Sequence, residues 1–171
     1  MFRLRQKHSR NLHSDGAPAS AEMLMAAQSV RAALTAAAIT IISFNIVWAY
    51  TASASGKYFP WIAVVQGAAV GKAVQIAGRG LDWRFPLIAA IAAWTGAFSG
   101  NLFIALQFTA SETGGIEGGW WQITRDFFEN TVSAIDVIYA FSAVAVATFY
   151  SMRPLNRHEV FALRTLARGK K

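Results

Sequence analysis

The chain has 171 residues, of which 54% are hydrophobic and only 15% charged, with a formal net charge of +7 and no cysteine. Soluble domains usually carry about 25% charged residues, so this much apolar surface on so short a chain points to lipid as its solvent. The missing cysteine excludes disulfides, thiolate catalysis, iron–sulfur clusters and Cys-based zinc sites. The basicity would suggest nucleic-acid binding in a soluble protein, but here the charges gather at the two ends and leave the middle nearly bare. That pattern is read through the orientation rule of membrane proteins, with no nucleic acid as partner.

Residues 1–19 read as a disordered, basic cytoplasmic tail carrying Arg3, Arg5, Lys7 and Arg10. A polar, turn-rich stretch, Asp15-Gly16-Ala17-Pro18, separates these charges from the first apolar run. That run is too long for a signal-peptide core and lacks an evident cleavage site. Ser20 is placed to cap a helix that starts at Ala21 and Glu22.

Residues 20–151 read as a four-helix transmembrane domain, with spans at about 32–51, 58–77, 86–108 and 131–151. A helix needs about 20 apolar residues to cross the hydrocarbon. No charge falls between Ala32 and Gly56, and Trp48 and Tyr50 sit near one end of the run as interfacial aromatics. The second span opens on Tyr58, Phe59, Pro60 and Trp61, an aromatic belt with proline in the first turn. A short polar loop, Gly78 to Arg84, leads to the third span. Residues 112–130 combine glycines with Trp120, Trp121, Phe127 and Phe128, and read as an external aromatic patch on a short interfacial helix; it is either a membrane belt or a docking surface.

Residues 152–171 form a basic amphipathic tail after Pro154. Leu155, Val160, Leu163 and Leu166 fall on one helical face and Arg157, Arg164 and Arg168 on the opposite, lipid-headgroup-facing one. Thirteen of the sixteen Lys and Arg residues lie in the two tails, at Arg31 just before the first span, or in the Gly78–Arg84 loop. Lys57 and Arg125 lie on the opposite side, and Lys72 lies inside the second span. The positive-inside rule then puts both termini in the cytoplasm. The fold class expected is an all-α, four-transmembrane-helix bundle with a cytoplasmic amphipathic C-terminal helix, in a bacterial inner membrane.

Function is less legible. None of the spans contains His or Cys; His8, His13 and His158 all lie outside them. Membrane haem and pigment sites are usually ligated from within the bundle, so no metal or cofactor is expected, and no catalytic set is visible. The strongest pattern is small-residue spacing: Gly67 and Gly71, with Gly78 further along, on the second span, and Gly96 and Gly100 on the third. Such faces let helix backbones approach closely in lipid. They pack the second and third spans together, or they face a neighbour.

Lys72 and Asp136 are the only charges within the spans. Lys72 lies about 9 Å from the cytoplasmic end of its helix and Asp136 near the external end of its own. Each therefore reaches its nearer interface, pairs with the other, or meets a partner protein. Asn45, Gln66, Gln75, Asn101 and Gln107 read as interhelical hydrogen-bonding groups.

The run Gly67-Ala68-Ala69-Val70-Gly71-Lys72-Ala73-Val74, then Gly78-Arg79-Gly80-Leu81-Asp82, Phe85, Gly96 and Gly100-Asn101, resembles a group of uncharacterised bacterial multi-pass membrane proteins. These have a VGxAxxxxGxGxDxxF-like core that closes on a GN pair. Asp136 and Tyr139 resemble a feature of the group's last span. The resemblance covers roughly Trp61 to Asn101 and implies a bacterial inner-membrane helical bundle with a shared cytoplasmic turn. It carries no activity, and the metal-binding cysteine modules of many members are absent here.

Two functions follow. The first is a non-catalytic accessory or scaffolding subunit of a larger inner-membrane complex. It acts through helix packing with other subunits or with itself, and its basic tails hold anionic lipid. The alternative is a small oligomeric channel or transporter that uses Lys72 and Asp136, with Asn45 and Asn101, as pathway groups. A weaker third is a lipid sensor built on the C-terminal helix.

Overall fold

The computed structural model describes residues 21–113, 121, 124–125 and 132–169. The described residues form helices and no strands. These are α1 (Ala21–Ala26), α2 (Val30–Ser55), α3 (Ile62–Gly78), α4 (Arg84–Thr113), α5 (Ala134–Ser151) and α6 (Arg157–Gly169). Three of them, α2, α4 and α5, are long and apolar enough to cross a membrane. The chain divides into two compact units, one holding α2 to α5 and the other α1 with α6.

Each boundary in the larger unit has a local cause. Ser29 caps α2 by accepting from the Ala32 amide at 3.2 Å. Gly56 ends it in the left-handed conformation, with φ of 61°. α2 therefore runs four residues past the expected end of the first span.

α3 has only 17 residues. Three amide bonds, from Ile62 to Phe59, Ala63 to Pro60 and Val64 to Trp61, lead into it as a tight turn. The helical path thus starts near Phe59, which adds about one turn to its length. Pro86 falls in the first turn of α4, where a missing N–H costs nothing. Ser133 and Asp136 close a capping box at the start of α5. Hydroxyls along the helices, such as Thr40 on Ala36, Thr51 on Val47 and Thr148 on Val144, bond to their own backbone. They thereby expose no unmet donor to an apolar medium.

The packing follows from small residues. A side chain added at Gly67 would lie 2.8 Å from the Cα of Ala143, and one at Gly71 would lie 2.9 Å from the Cα of Ala147. Both are backbone contacts, so nothing there can swing aside. The two pairs advance in the same direction, which makes α3 and α5 parallel. Gly96 in turn faces Gln66 and Ile41, while Gly100 faces Trp48 and Asn45. Ile41–Gly96 and Asn45–Gly100 likewise advance together and make α2 and α4 parallel. The two glycine pairs thus do not meet each other. Gly67 and Gly71 accept α5, Gly100 accepts α2, and Gly96 accepts Gln66 of α3 together with Ile41 of α2; α3 and α4 pack between α2 and α5.

Gly78 is buried at the end of α3. A side chain there would meet Phe85 and Ala33, and its carbonyl accepts the Ser29 amide at 2.9 Å. This end of the bundle, beside the α3–α4 connection, is filled by Ala33, Ala37, Val70, Val74, Phe85, Ala89, Ala93 and Ala147.

In the smaller unit, α6 is strongly amphipathic. Asn156 and Glu159 frame its start, the Glu159 carboxylate accepting the Asn156 amide at 2.9 Å. Arg157 and Arg164 are exposed, Val160 and Leu163 half-buried, and Leu24 of α1 is buried. The side chains of Leu166 and Arg168 lie outside what the structure describes, as do residues 1–19 and Ser20.

Because the glycine contacts are with backbone, Gly67→Ala and Gly71→Ala should each lower stability by about 1–3 kcal/mol, the usual cost of overpacking. Thermal unfolding of the purified chain in mild detergent reads this. Unchanged melting for both variants contradicts the α3–α5 contact.

Candidate functional site

Four of the five buried polar side chains among the described residues of the bundle collect at the end opposite the α3–α4 connection; the fifth, Ser151, lies at the other end and donates to the Thr148 carbonyl at 2.8 Å. Asn45, Gln66, Asn101 and Asp136 are all buried. They come from α2, α3, α4 and α5 respectively, so every helix of the larger unit contributes one.

Two groups of bonds tie them. In the first, Gln66 Nε2 donates to Asn45 Oδ1 at 2.8 Å, and Asn45 Nδ2 donates to Ser99 Oγ at 2.8 Å. Ser99 Oγ donates in turn to the Gly96 carbonyl at 3.2 Å. In the second, the Tyr58 hydroxyl donates to Asp136 Oδ1, and the Asn101 amide lies 2.8 Å from the same phenol oxygen. A phenol has one proton, and the carboxylate is the stronger acceptor. We therefore assign the Asn101 amide with its nitrogen toward Tyr58, donating. The other carboxylate oxygen, Asp136 Oδ2, accepts from the Ser133 amide at 2.9 Å and from Ser133 Oγ at 2.7 Å. Asp136 is thus a cap for its own helix and an anchor for the α2–α3 connection.

Trp48 bridges the two groups. Its indole stacks on Tyr58, with ring centroids 6.4 Å apart and planes 16° apart. Its other face lies against Gly100 of α4. The sequence places Trp48 at a lipid–water interface, yet it is only 1% exposed. The reason is that α2 continues to Ser55 and Gly100 leaves room for the ring. Tyr50, by contrast, is exposed. Among the described residues, Trp48 Nε1 and Gln66 Oε1 are buried without a hydrogen-bond partner.

Asn45 and Ser99 also reach the floor of a groove between α2 and α4. It has a volume of about 690 Å³ and is walled by Ile42, Ile46, Tyr50 and Phe103. The walls are apolar and the floor is polar.

Lys72 lies elsewhere. It is exposed on α3, and its Nζ donates to Gln75 Oε1 at 2.6 Å. In the α3–α5 register, Lys72 stands beside Thr148, twelve residues from Asp136, or about 18 Å along the helices. The two intramembrane charges of the sequence are therefore not a pair. Of the external aromatic patch, Trp121 is exposed; Trp120, Phe127 and Phe128 lie outside the described residues. No group of three or more His, Cys, Asp or Glu side chains that could hold a metal occurs among the described residues.

Tyr58, Ser99 and Ser133 complete the cluster and are absent from the set the sequence singles out. Ser133-x-x-Asp136 is a readable capping-box spacing. Tyr58 reads only as part of an aromatic belt, and nothing local marks Ser99. Comparison with models of protein families, with curated proteins and with solved structures finds no match for the chain.

Removing the carboxylate costs both the cap and a hydrogen bond to a charged group. Asp136→Ala should therefore lose roughly 2–4 kcal/mol. Asp136→Asn, which keeps an acceptor for Tyr58, and Ser133→Ala should each lose about 1 kcal/mol. Detergent melting curves order the three, and an Asp136→Ala chain as stable as the parent contradicts the anchoring role.

Proposed function

We propose that the chain is a non-catalytic accessory or scaffolding subunit of a larger bacterial inner-membrane complex. In this reading all four helices of the larger unit cross the bilayer, α3 being completed by its Phe59–Trp61 turn. Both termini and the amphipathic α6 are cytoplasmic, because the Lys and Arg residues concentrate on that side. The resemblance of the Trp61–Asn101 region to bacterial multi-pass proteins favours the same membrane.

The observation that carries the subunit reading is the groove between α2 and α4. The glycine faces that membrane helices commonly use for association are occupied within the chain by α5 and α2. What remains for a neighbour is an apolar groove that Asn45 and Ser99 also line, large enough at about 690 Å³ to admit bulky side chains. An entering helix would cover Ile42, Ile46 and Phe103, each more than half exposed, and could hydrogen-bond to the Asn45–Ser99 pair. The partner is another membrane subunit or a second copy of the chain, with anionic lipid on the basic surfaces.

The channel or transporter reading gains less. Its two charged groups stand about 18 Å apart along the helices, one exposed and one capping a helix, and the bundle interior at the level of Lys72 is packed with Ala, Val and Phe.

A photo-crosslinking residue at Ile46 or Phe103, introduced into the full chain in its native membrane, should give a discrete adduct with one membrane protein or with itself. The same residue at Phe149, on the far side of the bundle, should not. Adducts only with lipid at all three positions contradict the reading.

A further inference from the structure

Lys72 and Gln75 lie at i and i+3 on one side of α3 near its end, and Arg79 follows directly as its left-handed C-cap, with φ of 49°. Helical side chains normally lean toward the N-terminus. Lys72 does the opposite. Its amine is held 2.6 Å from Gln75 Oε1, one turn nearer the C-terminus. Gln75 Nε2 donates to the carbonyl of Met152, just past the end of α5. The lysine is thereby aimed at the corner where the parallel helices α3 and α5 both finish.

That corner is basic. Arg79 is exposed there, and Arg153 follows Met152. A lysine amine has three donors, and Gln75 takes one. Neither Lys72 nor Arg79 has an acidic partner among the described residues. Ile76, 66% exposed, lies one turn beyond Lys72 on α3 and three residues before Arg79. Phe149 and Tyr150 are exposed in the last turn of α5 with rings packed edge to face at 5.6 Å, as aromatics do at a bilayer interface. Arg31, Lys72, Arg79 and Arg84 of the larger unit all lie toward the α3–α4 end.

We propose that Lys72, Gln75 and Arg79 form a binding site for the phosphate headgroup of an anionic phospholipid, with Ile76 against its acyl chain. The site rests on the membrane reading given above and is separate from the α2–α4 groove. A cation inside a spanning segment is costly unless its stem carries it to the interface and a counter-charge meets it there. Basic pockets between helices on the cytoplasmic side supply that meeting for anionic headgroups.

The test uses the full-length chain reconstituted into bilayers of phosphatidylcholine and phosphatidylglycerol, extracted in mild detergent, with retained lipid read by native mass spectrometry. The parent chain should retain phosphatidylglycerol over phosphatidylcholine. Lys72→Gln and Arg79→Gln should each lower that retention roughly five-fold, the effect of one cation at an anionic surface. Lys72→Arg should keep it. Arg31→Gln, an equal loss of charge at the same end on α2, should leave it unchanged, and added inorganic phosphate should not displace the lipid.

Equal retention of both lipids by the parent chain overturns the site. So does a loss in Arg31→Gln as large as in Lys72→Gln, or displacement by free phosphate. A parent chain that fails to float with liposomes instead defeats the membrane reading itself. Arg79→Gln keeps the test open if Lys72→Gln does not yield folded protein.

Discussion

Four glycines decide how the helices of this chain meet. An apolar solvent gives no hydrophobic reward for burying one apolar helix against another, so association rests on close contact and on polar groups. Gly67 and Gly71 let α3 touch the backbone of α5 at Ala143 and Ala147, and Gly96 and Gly100 let α4 receive Ile41, Asn45 and Trp48 of α2. Both contacts join helices that run in the same direction, while the short connections join antiparallel neighbours. The central position of α3 and α4 follows, because only these two helices carry the paired glycines.

The same contacts sort the bundle by polarity along its length. Where Gly100 opens α4, there is room for an indole and an amide to enter from α2, and the polar side chains of all four helices gather around them. Tyr58 carries this cluster to Asp136 and so ties the α2–α3 connection to the first turn of α5. Toward the α3–α4 end no such opening exists, and alanine, valine and Phe85 fill the space. One end is therefore held by side-chain hydrogen bonds among all four helices, and the other by apolar packing with backbone bonds such as Ser29 to Gly78 at its edge. The groove between α2 and α4 opens outward from the polar half, where Asn45 and Ser99 line it.

Much of this was legible from residue order, and the rest failed for identifiable reasons. The lengths of the apolar runs mark α2, α4 and α5, because crossing length is a property of one segment. The glycine spacing marks which faces come close, but pairing is a property of the whole bundle, and nothing local says that Gly67 seeks Ala143 rather than Gly96. Trp48 reads as interfacial because aromatics near the end of an apolar run usually are; its burial depends on Gly100, 52 residues later in the chain. Asp136 reads as an intramembrane charge in need of a partner. Its partner, Ser133, was three residues away in a spacing that also spells a helix cap, and the length of the apolar run masked it.

The parallel pairing of α3 with α5 is the claim on which the Tyr58–Asp136 contact and the proposed lipid site both stand. Its most direct measurement is a pair of spin-label distances in bilayers, which the absence of native cysteine makes site-specific. Labels at the exposed positions Ile76 and Phe149 should lie close together. Labels at Ile76 and Ile135, the other exposed end of α5, should lie farther apart by roughly 20 Å, the rise of fourteen helical residues. Equal distances, or Ile76 nearer to Ile135 than to Phe149, would contradict the account.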